Sequence, residues 1–562
     1  MQVERIDDIP LIWNQLECLA ISNLVDTHFP VHGNRQGASL GTLCCVFLTY
    51  ILSESDHRLS HVEDWYCTLS HSFGYLTKNN SLTRLDFTDD RLGLLLDAFS
   101  DDTNYESFET GLNRHIISVY SLNKDTIEDK TVHLDATIAQ SFKESSDLFS
   151  VGYAKHRRKD LVQTKSMLSC VGSLGMPLCV EVVNGATADD VLYLPMVERV
   201  EQTLQQTGLL FVGDSKLGSI GNRCAIALKG HYYLTPLNKV QLSDENLRVL
   251  LSENPDYLSL GEDRQIKAFE TMATRQEGHY QWQERLIVAY SPSYGQSQIA
   301  QLDKQIAQSI EQIEVLTVIK QRKTPIKTQE ELQQKITQIC HKLKTTAFLD
   351  IRIEVTCTQT QVRKYKDKPA GIRINETFKI IVSRKNEIIE AHKGILGWRV
   401  YATNAPQELI DTHKVIQTYK NEFKVEYRFD QLHNKAAALM PIYLHKDNRI
   451  KALIRILMIV IKVMSIIQYQ ARESLKKTQQ QVKELFPGNP NRKTNQPTAE
   501  LILKAFCNIS LVIIELKDNT KHIEISKLSS SQMNLLKIMN IDQGLYQDFA
   551  QFFFLNQHFS ET

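Results

Sequence analysis

Three carboxylates stand where side chains from separate elements can meet. Asp135 lies inside Thr131-Val-His-Leu-Asp-Ala-Thr137, a stretch that reads as a strand. Asp214 follows Leu209-Leu-Phe-Val212, a short unbroken apolar run closed by Gly213-Asp214-Ser215, which is how a buried strand ending in a turn reads. Glu426 falls in a helical stretch beginning near Leu409. Two acids at strand positions and one from a helix make an oxygen-only donor set. Such a set suits Mg²⁺, a hard ion that takes carboxylates and water. Two ions can activate a water or a 3′-hydroxyl and stabilise the leaving oxygen of an in-line phosphoryl transfer. Singly, each acid has an ordinary explanation: an Asp after a strand serves turns, and a helical Glu serves a solvated face.

The helix carrying Glu426 adds weight to the catalytic reading. Tyr419, Glu422, Glu426 and His433 are spaced by three, four and seven residues. On a continuous helix they fall within about 60° of one another, so one face presents all four polar groups. The segment Tyr419-Lys-Asn-Glu422-Phe-Lys-Val-Glu426-Tyr-Arg-Phe-Asp-Gln-Leu-His433 resembles the Y-x2-R-x3-E-x6-K signature. That signature belongs to DDE insertion-sequence transposases of the insertion-sequence-four superfamily, especially its sixteen-thirty-four branch. His133-Leu-Asp135-Ala-Thr137 and Val212-Gly-Asp214 resemble the motifs around that family's first two acids. Gly152 to Asp160 and Tyr401-Ala-Thr-Asn404 match more loosely. The interval of 212 residues from Asp214 to Glu426 leaves room for the group's β-rich insertion.

The resemblance implies an α/β fold: an RNase H-like catalytic core, interrupted by a large β-rich and helical insertion, behind an α-helical N-terminal domain. Asp135, Asp214 and Glu426 would be the catalytic metal ligands, holding two Mg²⁺ ions, with Mn²⁺ as substitute. Tyr419, Glu422 and His433 would occupy DNA-clamping positions. The partners would be double-stranded DNA, as terminal inverted repeats and target, and a second copy of the chain in a synaptic homodimer. The setting would be a prokaryotic cytoplasm, with the protein on the nucleoid when acting. Two positions depart from the family pattern: Glu422 replaces its arginine and His433 its lysine. A carboxylate one turn from Glu426 raises proton affinity unless a cation intervenes, and His433 is not a permanent cation. A catalytically silent DNA-binding derivative is therefore one alternative, and an RNase H-like nuclease that only hydrolyses is another.

The elements that must position these residues divide the chain into five stretches. Residues 1–128 read as helical, with apolar spacing through Leu11–Leu24, Leu40–Leu52 and Leu92–Phe99. Residues 129–240 form the first part of the core. Beyond Asp135's strand, Met167–Val171 and Leu178–Val183 pair across Gly172 and Gly175, a helix covers 189–206, and Tyr232–Leu237 is a further strand. Residues 241–404 read as the insertion, with strands at Gln281–Tyr290, Ile351–Thr356, Phe378–Ser383 and Trp398–Thr403 and a helical hairpin or short coiled coil around Pro325. Residues 405–484 are the strongly helical second part of the core. A Pro/Gly/Asn-rich linker near 485–497 precedes a C-terminal module, 498–562.

Composition excludes several classes. The 562 residues, with 65 basic and 65 acidic side chains, are those of an ordinary globular protein of about three or four domains. The ten cysteines show no C-x-x-C pair or zinc spacing and read as reduced, mostly buried thiols. Ala452–Gln468 is the most membrane-like stretch, but Arg455 and Lys462 interrupt it, so no membrane span is expected. Residues 1–150 hold 10 Lys/Arg against 23 Asp/Glu, and the remainder 55 against 42. An acidic head opposes phosphate contact, which leaves end recognition open between head, insertion and C-terminal module. His156, Arg157 and Arg158 form a basic cluster that would hold DNA phosphate if its loop folds over the sheet edge, or else a solvated loop. Residues 361–393, with nine Lys/Arg and four Asp/Glu, read equally as a backbone-tracking strip or a charged hairpin surface. Trp282 and Trp398 are placed to pack in a core or, by the resemblance, to stack on an extruded base.

Overall fold

The computed structural model describes residues 1–31, 36–122, 126–152, 158, 160–172, 174–254, 256–260, 266–318, 326, 328–362, 371–434, 437–516 and 521–548. The chain opens with a short strand, β1 (Gln2–Arg5), then runs through helices as far as Asp102–Tyr120. The apolar spacing of Leu11–Leu24 is carried by two helices, Ile9–Cys18 and Ile21–His28, not one. The Leu19 and Ala20 amides fold back onto the Gln15 and Glu17 carbonyls, and Ala20 turns left-handed at φ 51°, which ends the first helix.

Mixed α/β structure follows. The strands are β2 (Thr131–Ser141), β3 (Val162–Val171), β4 (Met176–Asn184), β5 (Leu210–Gly213), β6 (Tyr232–Pro236), β7 (Leu258–Leu260), β8 (Ile266–Glu277), β9 (Tyr280–Tyr290), β10 (Leu349–Val362), β11 (Gly371–Arg384) and β12 (Trp398–Thr403). Nine of them form one mixed sheet in the order β4-β3-β2-β5-β6-β12-β9-β8-β7. Strands β2, β3 and β4 are antiparallel neighbours, β5 lies parallel to β2 and to β6, and β12 runs antiparallel to β6 and β9. The β3–β4 turn uses Gly172 and Gly175 at φ 72° and 61°, values an L side chain rarely adopts.

The stretch 241–404, expected as one insertion, is divided by this pairing. Strands β7, β8, β9 and β12 extend the main sheet, because β12 bonds to β6 on one side and β9 on the other. Between β9 and β12 sits a separate body. Helices Pro292–Glu314 and Gln329–Leu343 pack through Leu302, Ile306, Ile313, Leu332, Ile336 and Cys340, and against the β10–β11 hairpin through Phe348 and Leu349. Pro325, at the expected turn, lies outside the described residues.

The helical stretch 405–484 is also divided, into Thr412–Lys420, Phe423–Asn434 and Asp447–Thr478. The third of these is buried along most of its length. Its two interior cations are each held by protein groups: Arg455 donates to the Phe99 carbonyl and to Asp102, and Lys462 to Asn113 and the Leu178 carbonyl. Among the described residues no helix is long and apolar enough to cross a membrane. Near the end of the chain, β13 (Ser510–Glu515) and β14 (Lys521–Ile525) join β1 in a three-stranded sheet. All ten cysteines are free thiols, six of them buried and Cys18, Cys67, Cys357 and Cys507 exposed.

Candidate functional site

Strand β2 alternates, so His133, Asp135 and Thr137 share one face. The helix Phe423–Asn434 lies over that face, and the Thr137 hydroxyl meets His433 Nε2 at 3.2 Å. Asp214 follows β5, the neighbour of β2, so its strand ends beside the first acid. Its carboxylate accepts from the Tyr193 hydroxyl at 2.7 Å and from the Lys216 amide at 2.8 Å, while its carbonyl accepts from Thr235 Oγ1 at 2.8 Å. Those three contacts fix the turn after β5.

The second helix contribution is not the continuous face that the spacing predicts. Between Lys420 and Phe423 the chain leaves the α-helix: the Glu422 and Val425 amides bond three residues back, to the Tyr419 and Glu422 carbonyls. Glu422 therefore sits in the joint between two helices, and Glu426 in the first turn of the second, where a helix N-terminus favours an anion. The joint is held at both ends. Upstream, Arg285 makes a two-pronged pair with Glu270 at 2.8 and 2.7 Å and donates to the Ala405 and Ile410 carbonyls, which anchors the entry to the helix Thr412–Lys420. Downstream, buried Arg428 donates to the carbonyls of Leu174 and Gly175 in the β3–β4 turn and to Gln431. Asn404 ties the end of β12 to β6, accepting from the Tyr233 amide and donating to the His231 carbonyl.

Glu422 reports how close the acids come. Its carboxyl is pushed up to about 7, first by burial and then by the negative charges of Asp135, Asp214 and Glu426, against the Tyr419 hydroxyl that donates to it. Tyr193 is likewise raised, by burial and then by Asp214 and, more weakly, Asp135. Carboxylates far apart in sequence thus share one electrostatic environment. Their donor atoms are all oxygen, the chemistry a hard divalent cation takes, and a cation there would relieve the repulsion that raises Glu422. Among the described residues no group of three His, Cys, Asp or Glu is arranged to hold a metal ion.

Beside the acids lies a cleft of about 290 Å³ whose walls include Glu422, Glu426, Tyr290, Tyr294, Arg399 and Tyr419. The Arg399 guanidinium stands 4.7 Å from the Tyr294 ring centre and 5.9 Å from that of Tyr419. Sequence reasoning missed Tyr193, Tyr294 and Arg399. Tyr193 sits in an apolar helical pattern that reads as core, and Arg399 in a strand with no polar motif.

Of the remaining expected residues, those that are described are not brought to the acids. Arg158 is exposed and paired with Asp160 at 2.7 Å, and His156 and Arg157 lie outside the described residues. Trp282 is buried, donating to the Tyr233 hydroxyl at 2.8 Å, and Trp398 packs against Tyr257, Phe269 and Tyr290. His133, expected to need no metal role and to point away from Asp135, instead shares its face, as residues two apart on a strand do, and is buried with its Nδ1 unpartnered among the described residues. Burial, and then Lys424, holds it down to about 4.

No protein-family model and no curated protein matches the chain. Among solved structures it is similar to a piggyBac transposase synaptic complex with hairpin DNA, at 9% identity over 83% of this chain and 78% of that one, with a TM-score of 0.33. A superposition that loose bears on neither the fold nor the activity of this chain.

Proposed function

We propose that this chain is a DNA transposase that cleaves the ends of a mobile element and joins the freed 3′-hydroxyls to target DNA. The observation that carries the reading is the acid cluster: Asp135, Asp214 and Glu426, drawn from across 291 residues of chain, all bear on Glu422. Two further features support it. The arrangement β4-β3-β2-β5-β6, with three antiparallel strands followed by two parallel ones, is the order expected of an RNase H-like core. The motif resemblance places its acids on these strands and on this helix.

Asp135, Asp214 and Glu426 would hold two Mg²⁺ ions, or Mn²⁺ in their place. Bound there, the metal supplies charge neutralisation and activation of the attacking oxygen. The chain's own groups do the rest. Tyr193 and the Lys216 amide orient Asp214, and the first turn of the helix Phe423–Asn434 steadies the Glu426 charge. In the first step a water oxygen attacks the scissile phosphorus and the 3′-oxygen leaves. In the second, that 3′-hydroxyl attacks a target phosphate and a new 3′-oxygen leaves. A pair of ends requires two copies of the chain, so a homodimer on double-stranded DNA is the expected working form.

A second reading is favoured by one observation. Glu422 stands where the signature has arginine, it holds a proton near neutrality, and no metal-ready trio is formed among the described residues. Such a site suits a silent DNA-binding derivative. The test uses the full chain with labelled duplexes carrying the inverted repeats that flank its gene, in Mg²⁺ or Mn²⁺, beside Asp214→Ala. Nicking at the repeat boundary with strand joining, both lost in the variant, is the expected result. Nicking without joining means a nuclease. Binding without cleavage in either metal means the silent derivative.

A further inference from the structure

The β10–β11 hairpin is two structures end to end. Near its base Ile351, Ile353, Phe378, Ile380 and Val382 lie against the helical pair, which covers one face of the ribbon. Farther out, from Glu354 to Gln359 on one strand and at Glu376 and Thr377 on the other, both faces are exposed. Among the described residues no third strand pairs with either edge. At roughly 3.4 Å per residue each 14-residue strand spans about 45 Å. A lone two-stranded ribbon is marginal in water, so this one stands out from the body for a purpose other than stability.

The face turned away from the helices has a distinct composition. Pairing across the ribbon sets Glu354 opposite Lys379 and Thr356 opposite Thr377, with Arg352 and Thr358 before and after them. The threonines favour an extended backbone and carry methyls and hydroxyls, that of Thr377 donating to the Thr356 carbonyl at 3.1 Å and keeping its acceptor lone pairs. They are not the large apolar anchors that the core of a protein interface uses. Lys379 and Arg352 meet only surface carboxylates, at 3.3 and 3.4 Å, pairs weak enough to be exchanged for another anion. The chain from 349 to 393, ribbon included, carries ten Lys/Arg against six Asp/Glu, so the region as a whole is positive.

We propose that this ribbon enters the major groove of double-stranded DNA with its Thr face toward the bases. The groove, about 12 Å wide, admits a two-stranded ribbon, and Thr hydroxyls and methyls address base edges there. Thr356, Thr358 and Thr377 read sequence, while Arg352 and Lys379 hold the flanking phosphates. The helical pair lies under the opposite face, so it does not obstruct the duplex. The inference rests on the reading that the chain acts on DNA, and it assigns the recognition step to an element remote from the acids.

The experiment is selection of duplexes from a randomised pool by the full-length protein, followed by binding isotherms across a salt series. The variant Thr356→Val/Thr358→Val/Thr377→Val keeps the branched side chains and removes the hydroxyls. It is expected to lose the wild-type consensus over a contiguous block of positions and to bind the selected duplex at least about tenfold more weakly. Arg352→Ala/Lys379→Ala should weaken binding to every duplex and flatten the salt dependence by about two phosphates. Gln359→Ala/Gln361→Ala, on the opposite face, should change neither. An unchanged consensus and affinity in the valine variant would overturn the inference. So would a valine variant that alters sedimentation mass but not DNA affinity, since the ribbon would then bind a second copy. If either result accompanies Asp214-dependent end cleavage, the transposase reading stands and only the ribbon's role falls. If the wild type enriches no duplex and shows no salt-dependent binding, both fall together.

Discussion

Among the described residues, Asp8 is a carboxyl buried without a cation. It is 7% exposed and accepts from the Ser53 hydroxyl at 2.7 Å, so burial, against that bond, lifts its carboxyl to about 7, with Asp7 and Glu54 adding repulsion. Unfolded, the same group titrates near 3.8. Between those values the folded protein holds the extra proton, so stability falls as pH rises from about 4 to about 7. Asp8→Asn keeps an acceptor for Ser53 and removes the titration. Denaturant unfolding across that range should show the variant gaining on the wild type by up to roughly 1.4 kcal/mol per pH unit. Parallel stability curves would refute it. Sequence alone could not mark Asp8, because its environment comes from Ser53 and from Tyr546, whose hydroxyl bonds to the Asp7 carbonyl at the far end of the chain. Glu422 was more legible. A carboxylate four residues from Glu426 is expected to gain proton affinity, and it does, although burial is the first cause and the helix between them is broken.

At the scale of elements, the helix Phe423–Asn434 depends on Arg428, a buried guanidinium that donates to three neutral acceptors, the Leu174 and Gly175 carbonyls and Gln431. Arg428→Met fills similar volume but strands the Leu174 and Gly175 carbonyls, a loss of about 2–3 kcal/mol. Because Glu426 lies two residues away, end nicking should fall more than stability does when measured well below the unfolding temperature. Nicking that tracks the folded fraction would show that the helix does not depend on this anchor. Elements with local signals were legible: Trp398–Thr403 is a strand over the residues its apolar run predicts, and the helical pair follows its three-to-four spacing. Strand β8 was not, since beyond Ala268 and Phe269 its side chains are mostly polar and partly exposed. It pairs with β9 through a tight turn at Gly278, but β9 pairs with β12 non-locally, and an alternating pattern is the same whether a strand joins the main sheet or an insertion. The break at Glu422 is equally silent in sequence, for the helical period runs through it.

Across the whole molecule, the acidic head and the sheet share one core that runs from Ile6 to Tyr546. Glu109 is the polar knot within it. From the helix Asp102–Tyr120 it accepts from the Val180 amide of β4 at 3.2 Å, pairs with Arg199 of the helix Asp190–Leu204 at 2.5 Å, and stands 3.9 Å from Lys462. Three stretches distant in sequence therefore close on one buried carboxylate. Glu109→Leu leaves the Lys462 charge without its anion and the Val180 amide without an acceptor, which costs about 3–5 kcal/mol. Lys462→Met should cost far less, about 1 kcal/mol, because Asn113 still donates to the Leu178 carbonyl and Arg199 still neutralises Glu109. Hydrogen exchange separates a shared core from a merely adjacent one. In Glu109→Leu, protection should fall together in the helix Asp102–Tyr120, in β4 and in the middle of the helix Asp447–Thr478, with a single unfolding transition. Loss confined to the head would mean that residues 1–128 unfold as a unit of their own. Joint loss would mean that the head buttresses the strands and the helix that carry the acids, a structural task that needs no positive surface.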